Sequence, residues 1–359
     1  MSGRNDVEII SARENRTHNR REFLKTAGSG AAALAVSGVM ANSAVAKDVK
    51  QGTAESMVTK LYETLSQQQK NSICFDWDYQ DEKRGLLRTH ISNNWRITKP
   101  AIKSSFYKPD QQEMIRQVFE RIVNPDWTDR FDQQFKDDMG GFGLRQSIAI
   151  FGTPGTDKFE FVLTGRHGTI RCDGNTTEHV AFGGPILYGH EGSSGYFEKH
   201  EHPDNVFWHQ AKAANNIYQM LDGKQRREAL LPEAPDEAKI AFLGPKGEFD
   251  GIAVADLTND QKEHVQEVLR LLIEPYRQTD RDEVVASLKA QGGLDTCYLA
   301  FYEHDDLGDD GIWDNWRLEG PAFVWHYRGA PHVHVWIHVA DDPSVKLYAK
   351  NLSGRLRPK

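Results

Sequence analysis

His332-Val333-His334-Val335-Trp336-Ile337-His338-Val339 is the stretch of this 359-residue chain whose side chains most plainly suit chemistry. In a strand, alternate residues share a face, so Val333, Val335, Ile337 and Val339 line one side while His332, His334, Trp336 and His338 line the other. Residues two apart have Cα atoms about 6–7 Å apart. Two imidazoles at that spacing can close on one ion at ~2.0–2.1 Å. His338 falls about 13 Å beyond His334, too far to join them. A second motif, Thr164-Gly165-Arg166-His167-Gly168, ends an expected strand, and its glycines let backbone approach a ligand closely. The expected metal ligands are therefore His167, His332 and His334. Three neutral imidazoles plus water suit one divalent transition metal: zinc, which makes a nucleophile of bound water for hydrolysis, or copper or iron in an oxidoreductase.

Arg166, His190, Glu191 and His326 are the expected outer groups, orienting ligands or substrate. Pro321 to Val339 reads as a hairpin turning at Arg328-Gly329-Ala330-Pro331. With that loop, Tyr327 faces His332 and Trp325 faces His334. A slip of one residue brings His326 to that face instead. Trp325, Tyr327 and Trp336, with Trp313 and Trp316 nearby, suit stacking on a sugar or another planar ligand. This supports a rival reading, a non-catalytic envelope protein that binds a small molecule or glycan. His200 and His202 add further imidazoles in a Gly- and His-rich stretch from 173 to 203, expected to be one long irregular segment, and His209 follows it. The acidic run Asp305-Asp306 and Asp309-Asp310-Gly311 lacks the alternating ligand spacing of a calcium loop and reads as a solvated connection. No GxSxG, Walker A, HExxH or strand–helix GxGxxG occurs.

The elements that must position these residues follow from periodicity. Met57, Leu61, Tyr62 and Leu65 give a helix within 47–72, and Met114, Ile115, Val118, Phe119 and Ile122 give one behind an Asp110–Glu113 capping box. Further helices are expected over 128–138, 204–221, 258–273 and 281–290. Short alternating runs at 147–152, 158–163 and 166–172 read as antiparallel strands, and 296–302, 312–318, 322–327 and 332–339 as a C-terminal meander. No internal repeat is evident. The expected architecture is α+β: a single domain over 47–359, with helices packed on a mainly antiparallel sheet.

Asn19-Arg20-Arg21-Glu22-Phe23-Leu24-Lys25 precedes an apolar, Ala/Gly-rich run and the small-x-small site Ala44-Val45-Ala46. This resembles a cleaved twin-arginine signal peptide over 1–46, implying the twin-arginine translocase as partner and a periplasmic or extracellular location. Cargo of that route crosses folded, and often with a cofactor already in place. Forty-four Lys and Arg against 52 Asp and Glu give a net charge of −8, so the basic footprint of a nucleic-acid binder is missing. Removing 1–46 takes six cations and four anions and leaves −10. No later run is long enough and apolar enough for a membrane span. Cys74, Cys172 and Cys297 are widely spaced and odd in number, which suits buried free thiols.

These landmarks together resemble the bacterial domain-of-unknown-function family 3500 over roughly residues 55–345. The resemblance rests on Leu61-Tyr62-Glu63-Thr64-Leu65-Ser66-Gln67-Gln68-Gln69, Phe151-Gly152-Thr153-Pro154, Gly165-Arg166-His167-Gly168, Gly184-Pro185, Gly320-Pro321-Ala322-Phe323 and His332-Val333-His334. The family's middle motif often reads Gly-His-His, so only His167 carries over, with Arg166 in place of the first histidine. A glutamate is common where this chain has His326. The resemblance implies no particular reaction.

Overall fold

The computed structural model describes residues 52–174, 179–191, 206–237, 240–307, 311–345 and 348–349. The expected signal segment and His200 and His202 lie outside them. Eight helices are present among the described residues: α1 Ala54–Thr64, α2 Gln67–Ile73, α3 Pro109–Ile122, α4 Thr128–Met139, α5 Trp208–Met220, α6 Gly223–Ala229, α7 Asn259–Ile273 and α8 Gln278–Ala290. Eight long strands accompany them: β1 Ser147–Gly152, β2 Phe159–Gly165, β3 Gly168–Asp173, β4 Ile186–His190, β5 Tyr298–Tyr302, β6 Asn315–Gly320, β7 Phe323–Arg328 and β8 Val333–Val339. The fold is α+β, as the periodicity predicts. Among the described residues no helix is long and apolar enough to cross a membrane.

Local chemistry explains most boundaries. The first expected helix is broken in two at Leu65-Ser66, because Ser66 and Gln69 form a capping box that restarts the chain as α2. α3 opens at Pro109 rather than Asp110, and Gln111 caps backward on the Lys108 N–H at 3.0 Å. The Gly/His stretch is not irregular throughout: Ile186–His190 within it is β4, fully buried and paired on both sides. Its shortness and flanking glycines hide the strand in the sequence.

The sheet runs β1-β2-β3-β4-β8-β7-β6-β5, antiparallel between all these neighbours. Two consecutive four-stranded meanders thus join through their last strands. One sheet face, with Ile150, Leu163, Tyr188, Val335 and Trp325, packs on Leu61, Phe119, Phe135 and Leu272 of the helices. The other face is also covered. Leu87, Trp95 and Ile97 lie on Ala149, Phe151 and Val162, while Ile91 and Ile240 lie on Leu187, Val324 and Trp336.

The two halves follow one plan, a repeat that periodicity alone does not reveal and that corrects the expectation of none. Among the described residues each half presents four helices and then a meander. In each, the second helix runs straight into a two-residue strand parallel to the first meander strand, Cys74 opposite Ile150 and Leu230 opposite Phe301. Gln69 Nε2 donates to Gln111 Oε1 at 2.8 Å, and Gln225 Nε2 donates to Gln261 Oε1 at 3.1 Å. Gln111 and Gln261 then donate to the last carbonyls of α1 and α5, those of Thr64 and Met220. The sequences agree where structure demands it. Leu61-Tyr62, Leu65-Ser66 and Gln69 match Ile217-Tyr218, Leu221-Asp222 and Gln225. Asp110-Gln111, Glu113, Ile115, Val118-Phe119, Ile122-Val123 and Pro125 match Asp260-Gln261, Glu263, Val265, Val268-Leu269, Leu272-Ile273 and Pro275.

Candidate metal centre

His167 occupies the two-residue turn that joins β2 to β3, between the paired glycines Gly165 and Gly168. Its backbone sits in the left-handed region, with φ +50°. The strain is held from both sides: His167 N donates to Asn93 O at 2.8 Å, and its carbonyl accepts from Gln134 Nε2 at 3.3 Å. Register then carries the site across the sheet. Gly168 pairs with Tyr188, so His167 comes level with Gly189, which pairs with His334, which pairs with Arg328. At ~4.8 Å per strand, His167 and His334 stand about 10 Å apart at the backbone with a glycine between them. A Cβ on Gly189 would lie 3.3 Å from His167 Cβ and would strike the Val333 carbonyl. Glycine therefore leaves the space in which the imidazoles meet.

The three rings form a nearly equilateral group. Centroids of His167 and His332, and of His167 and His334, are 4.8 Å apart, and those of His332 and His334 are 4.6 Å apart. One nitrogen from each can be chosen so that all three lie within 4.8 Å of one another. His332 Nε2 and His334 Nε2 are 2.9 Å apart, near the ~3.3 Å that two imidazoles span on a tetrahedral ion. The residues are 2%, 3% and 3% exposed, so water barely reaches them.

Two carboxylates stand behind the ligands. His334 Nδ1 lies 3.2 Å from Glu237 Oε2, and His167 Nδ1 lies 3.1 Å from Asp138 Oδ2. A carboxylate facing Nδ1 places the proton there and turns the Nε2 lone pair toward the centre. Glu237 is itself fixed by Trp336 Nε1 at 2.7 Å and Arg328 Nη1 at 2.9 Å. Asp138 accepts from Gln134 Nε2 at 2.9 Å and from the Glu191 N–H at 3.0 Å. Burial drives all three imidazoles below the ordinary histidine range. The closeness of His334 and His167 adds to this at His332, since a proton on one ring disfavours a proton on the next, and Arg328 adds to it at His334. Neutral imidazole is the form that binds a metal.

The outer groups divide between the centre and the rest of the fold. Glu191 pairs with Arg166, joining the β2–β3 turn to the end of β4. His190 turns to the helical side, where Nε2 lies 3.1 Å from Asp137 Oδ2, outside the three-histidine group. His326 shares the sheet face of His334 and accepts from Arg317 Nε at 3.2 Å, also outside that group. The expected aromatic wall is corrected. Arg328, not Trp325, pairs with His334, three residues on from the expected register, and Asn315 Oδ1 accepts from the Gly329 and Ala330 N–H groups at the turn. Trp325 and Tyr327 therefore point into the helical core, donating to Tyr188 Oη and the Phe207 carbonyl. With Trp336 they are 0% exposed and offer no stacking surface.

Asp138, Glu237, Asn93 and Arg328 are the site residues that sequence reasoning missed. Asp137-Asp138 at the C-terminal end of α4 carried a usable signal, since carboxylates there oppose the helix dipole and need another partner.

No curated protein and no solved structure matches the chain. The family model described as Protein of unknown function (DUF3500) matches residues 47–340, a span that takes in every residue of the centre. The chain belongs to that family.

Proposed function

We propose that the protein is an exported metalloenzyme that holds one zinc ion on His167, His332 and His334 and uses the bound water for hydrolysis. The carrying observation is three buried imidazoles closing on one point, two of them backed by carboxylates. Three neutral ligands leave the ion its full charge, which favours ionisation of a fourth-position water near neutral pH. Copper or iron on the same nitrogens would support redox chemistry instead. Hydrolysis is preferred because the thiols are no part of the group, and burial pushes Cys74 and Cys297 up to about 12, far from thiolate. Export by the twin-arginine route rests on Arg20-Arg21 and Ala44-Val45-Ala46, and places the mature chain in the periplasm or outside the cell.

The test is elemental analysis of untagged protein recovered from the exported fraction, beside the His332→Ala/His334→Ala double variant. About one equivalent of zinc in the wild type, lost in a variant that keeps its circular dichroism, is the expected result. Folded wild type that neither carries zinc nor takes it up from added salt overturns the reading.

A further inference from the structure

We propose that the substrate carries an oxyanion, carboxylate or phosphate, which Arg166 and Arg328 grip beside the metal. The proposal rests on the metal reading above and adds the class of substrate.

Both guanidiniums are tied to the ligands by backbone placement. Arg166 is the turn residue next to His167, and Arg328 is the cross-strand partner of His334 on the same sheet face. Arg328 Nη2 also donates to the His332 carbonyl at 3.4 Å. The two cations thus adjoin the group at different ligands, Arg166 at His167 and Arg328 at His334.

Exposure orders the layers. The side chains of Arg166 and Arg328 are 31% and 21% exposed, against 11% and 14% for their partners Glu191 and Glu237. The side chains of His167 and His334 are 2% and 4% exposed. Of these six side chains the guanidiniums are thus the most exposed and the imidazoles the least. A neutral substrate would gain little from two guanidinium forks at that position. A carboxylate or phosphate gains charge-assisted, two-pronged hydrogen bonds from each. Glu191 at Arg166 and Glu237 at Arg328 both compete with substrate, and only Glu191 can be neutralised without removing a carboxylate that faces a ligand.

The experiment uses the mature chain loaded with cobalt(II), whose visible absorption reports the ligand field. Acetate and inorganic phosphate are titrated against wild type, Arg166→Gln, Arg328→Gln and Glu191→Gln, each checked for fold by circular dichroism. Expected is an anion-dependent change of the band, weakened about tenfold or more in either arginine variant, as befits one charge-assisted hydrogen bond. Glu191→Gln should tighten it, because Arg166 is released. A purely structural ion pair predicts no such opposite sign. If Arg328→Gln disturbs the band itself through Glu237, Arg166→Gln and Glu191→Gln decide the matter between them. A normal cobalt band with equal anion affinity in all variants overturns this proposal alone. Failure of wild type to give a band overturns the metal reading and this one with it.

Discussion

Asp138 and Glu237 decide which nitrogen His167 and His334 turn toward the centre. His334 Nδ1 faces Glu237 and His167 Nδ1 faces Asp138, so neither imidazole can present that nitrogen to an ion without losing its carboxylate. Asp138→Asn and Glu237→Gln keep the shape and remove the charge. Each should weaken zinc binding about 10- to 100-fold, measured by competition with a chromophoric chelator, while the thermal midpoint moves little. Unchanged zinc affinity in both would show that the carboxylates serve packing only. At this scale the sequence was half legible. The ligands stand out because His332 and His334 share a strand face and His167 sits between glycines. Their partners do not, since Asp138 ends a helix, Glu237 lies in a connection, and nothing local announces either contact.

Three residues of register separate a stacking wall from a charged rim. Every strand of the C-terminal meander is readable from alternation, but alternation fixes faces within a strand and not the pairing between strands. Asn315, one strand away, sets that pairing by capping the turn, which puts Arg328 and His326 on the histidine face and Trp325 and Tyr327 on the other. β4 escapes notice for a related reason: it is five residues long and carries its glycine where the site needs one. Gly189 and Gly168 offer a matched test. A methyl on Gly189 meets the Val333 carbonyl, whereas on Gly168 the nearest atom is the Arg166 carbonyl oxygen at 3.8 Å, an ordinary contact. Gly189→Ala should cost about 1–3 kcal/mol or more in urea denaturation and abolish metal retention. Gly168→Ala should leave both near wild type. Equal behaviour of the two variants would remove glycine's part in shaping the site.

Two copies of one plan, joined through β4 and β8, make the asymmetry of the centre informative. The pair Ile186–Ile337 lies where the two meanders exchange, so Gly189 corresponds to Ala340, and the β2–β3 turn residue His167 to Ala322 in the β6–β7 turn. Ala322 and Ala340 pack with Val180 as a small apolar cluster. One of two equivalent places is thus filled with methyl groups and the other with imidazoles. The repeat is hard to see in the sequence because its matches are capping glutamines and core aliphatics, which any pair of amphipathic helices can share.

Histidine is used at whole-molecule scale as a neutral interior residue, and this has a consequence for acid stability that does not involve the centre. His338 faces Arg171 and Arg317, is 1% exposed, and neither of its ring nitrogens finds a hydrogen-bond partner among the described residues. Burial first, then those two cations, push its pKa down to about 3. The unfolded chain takes up this proton near pH 6.5 and the folded one does not. The stability His338 contributes by staying neutral is complete above about pH 6.5 and is lost progressively as pH falls toward 3. In that window the group steepens the pH dependence of unfolding free energy by at most about 1.4 kcal/mol per pH unit. His338→Met keeps the volume and removes the proton site. Urea midpoints between pH 7 and 4.5 should therefore fall less steeply in the variant than in the wild type, and parallel curves would mean that His338 is already solvated in the native state.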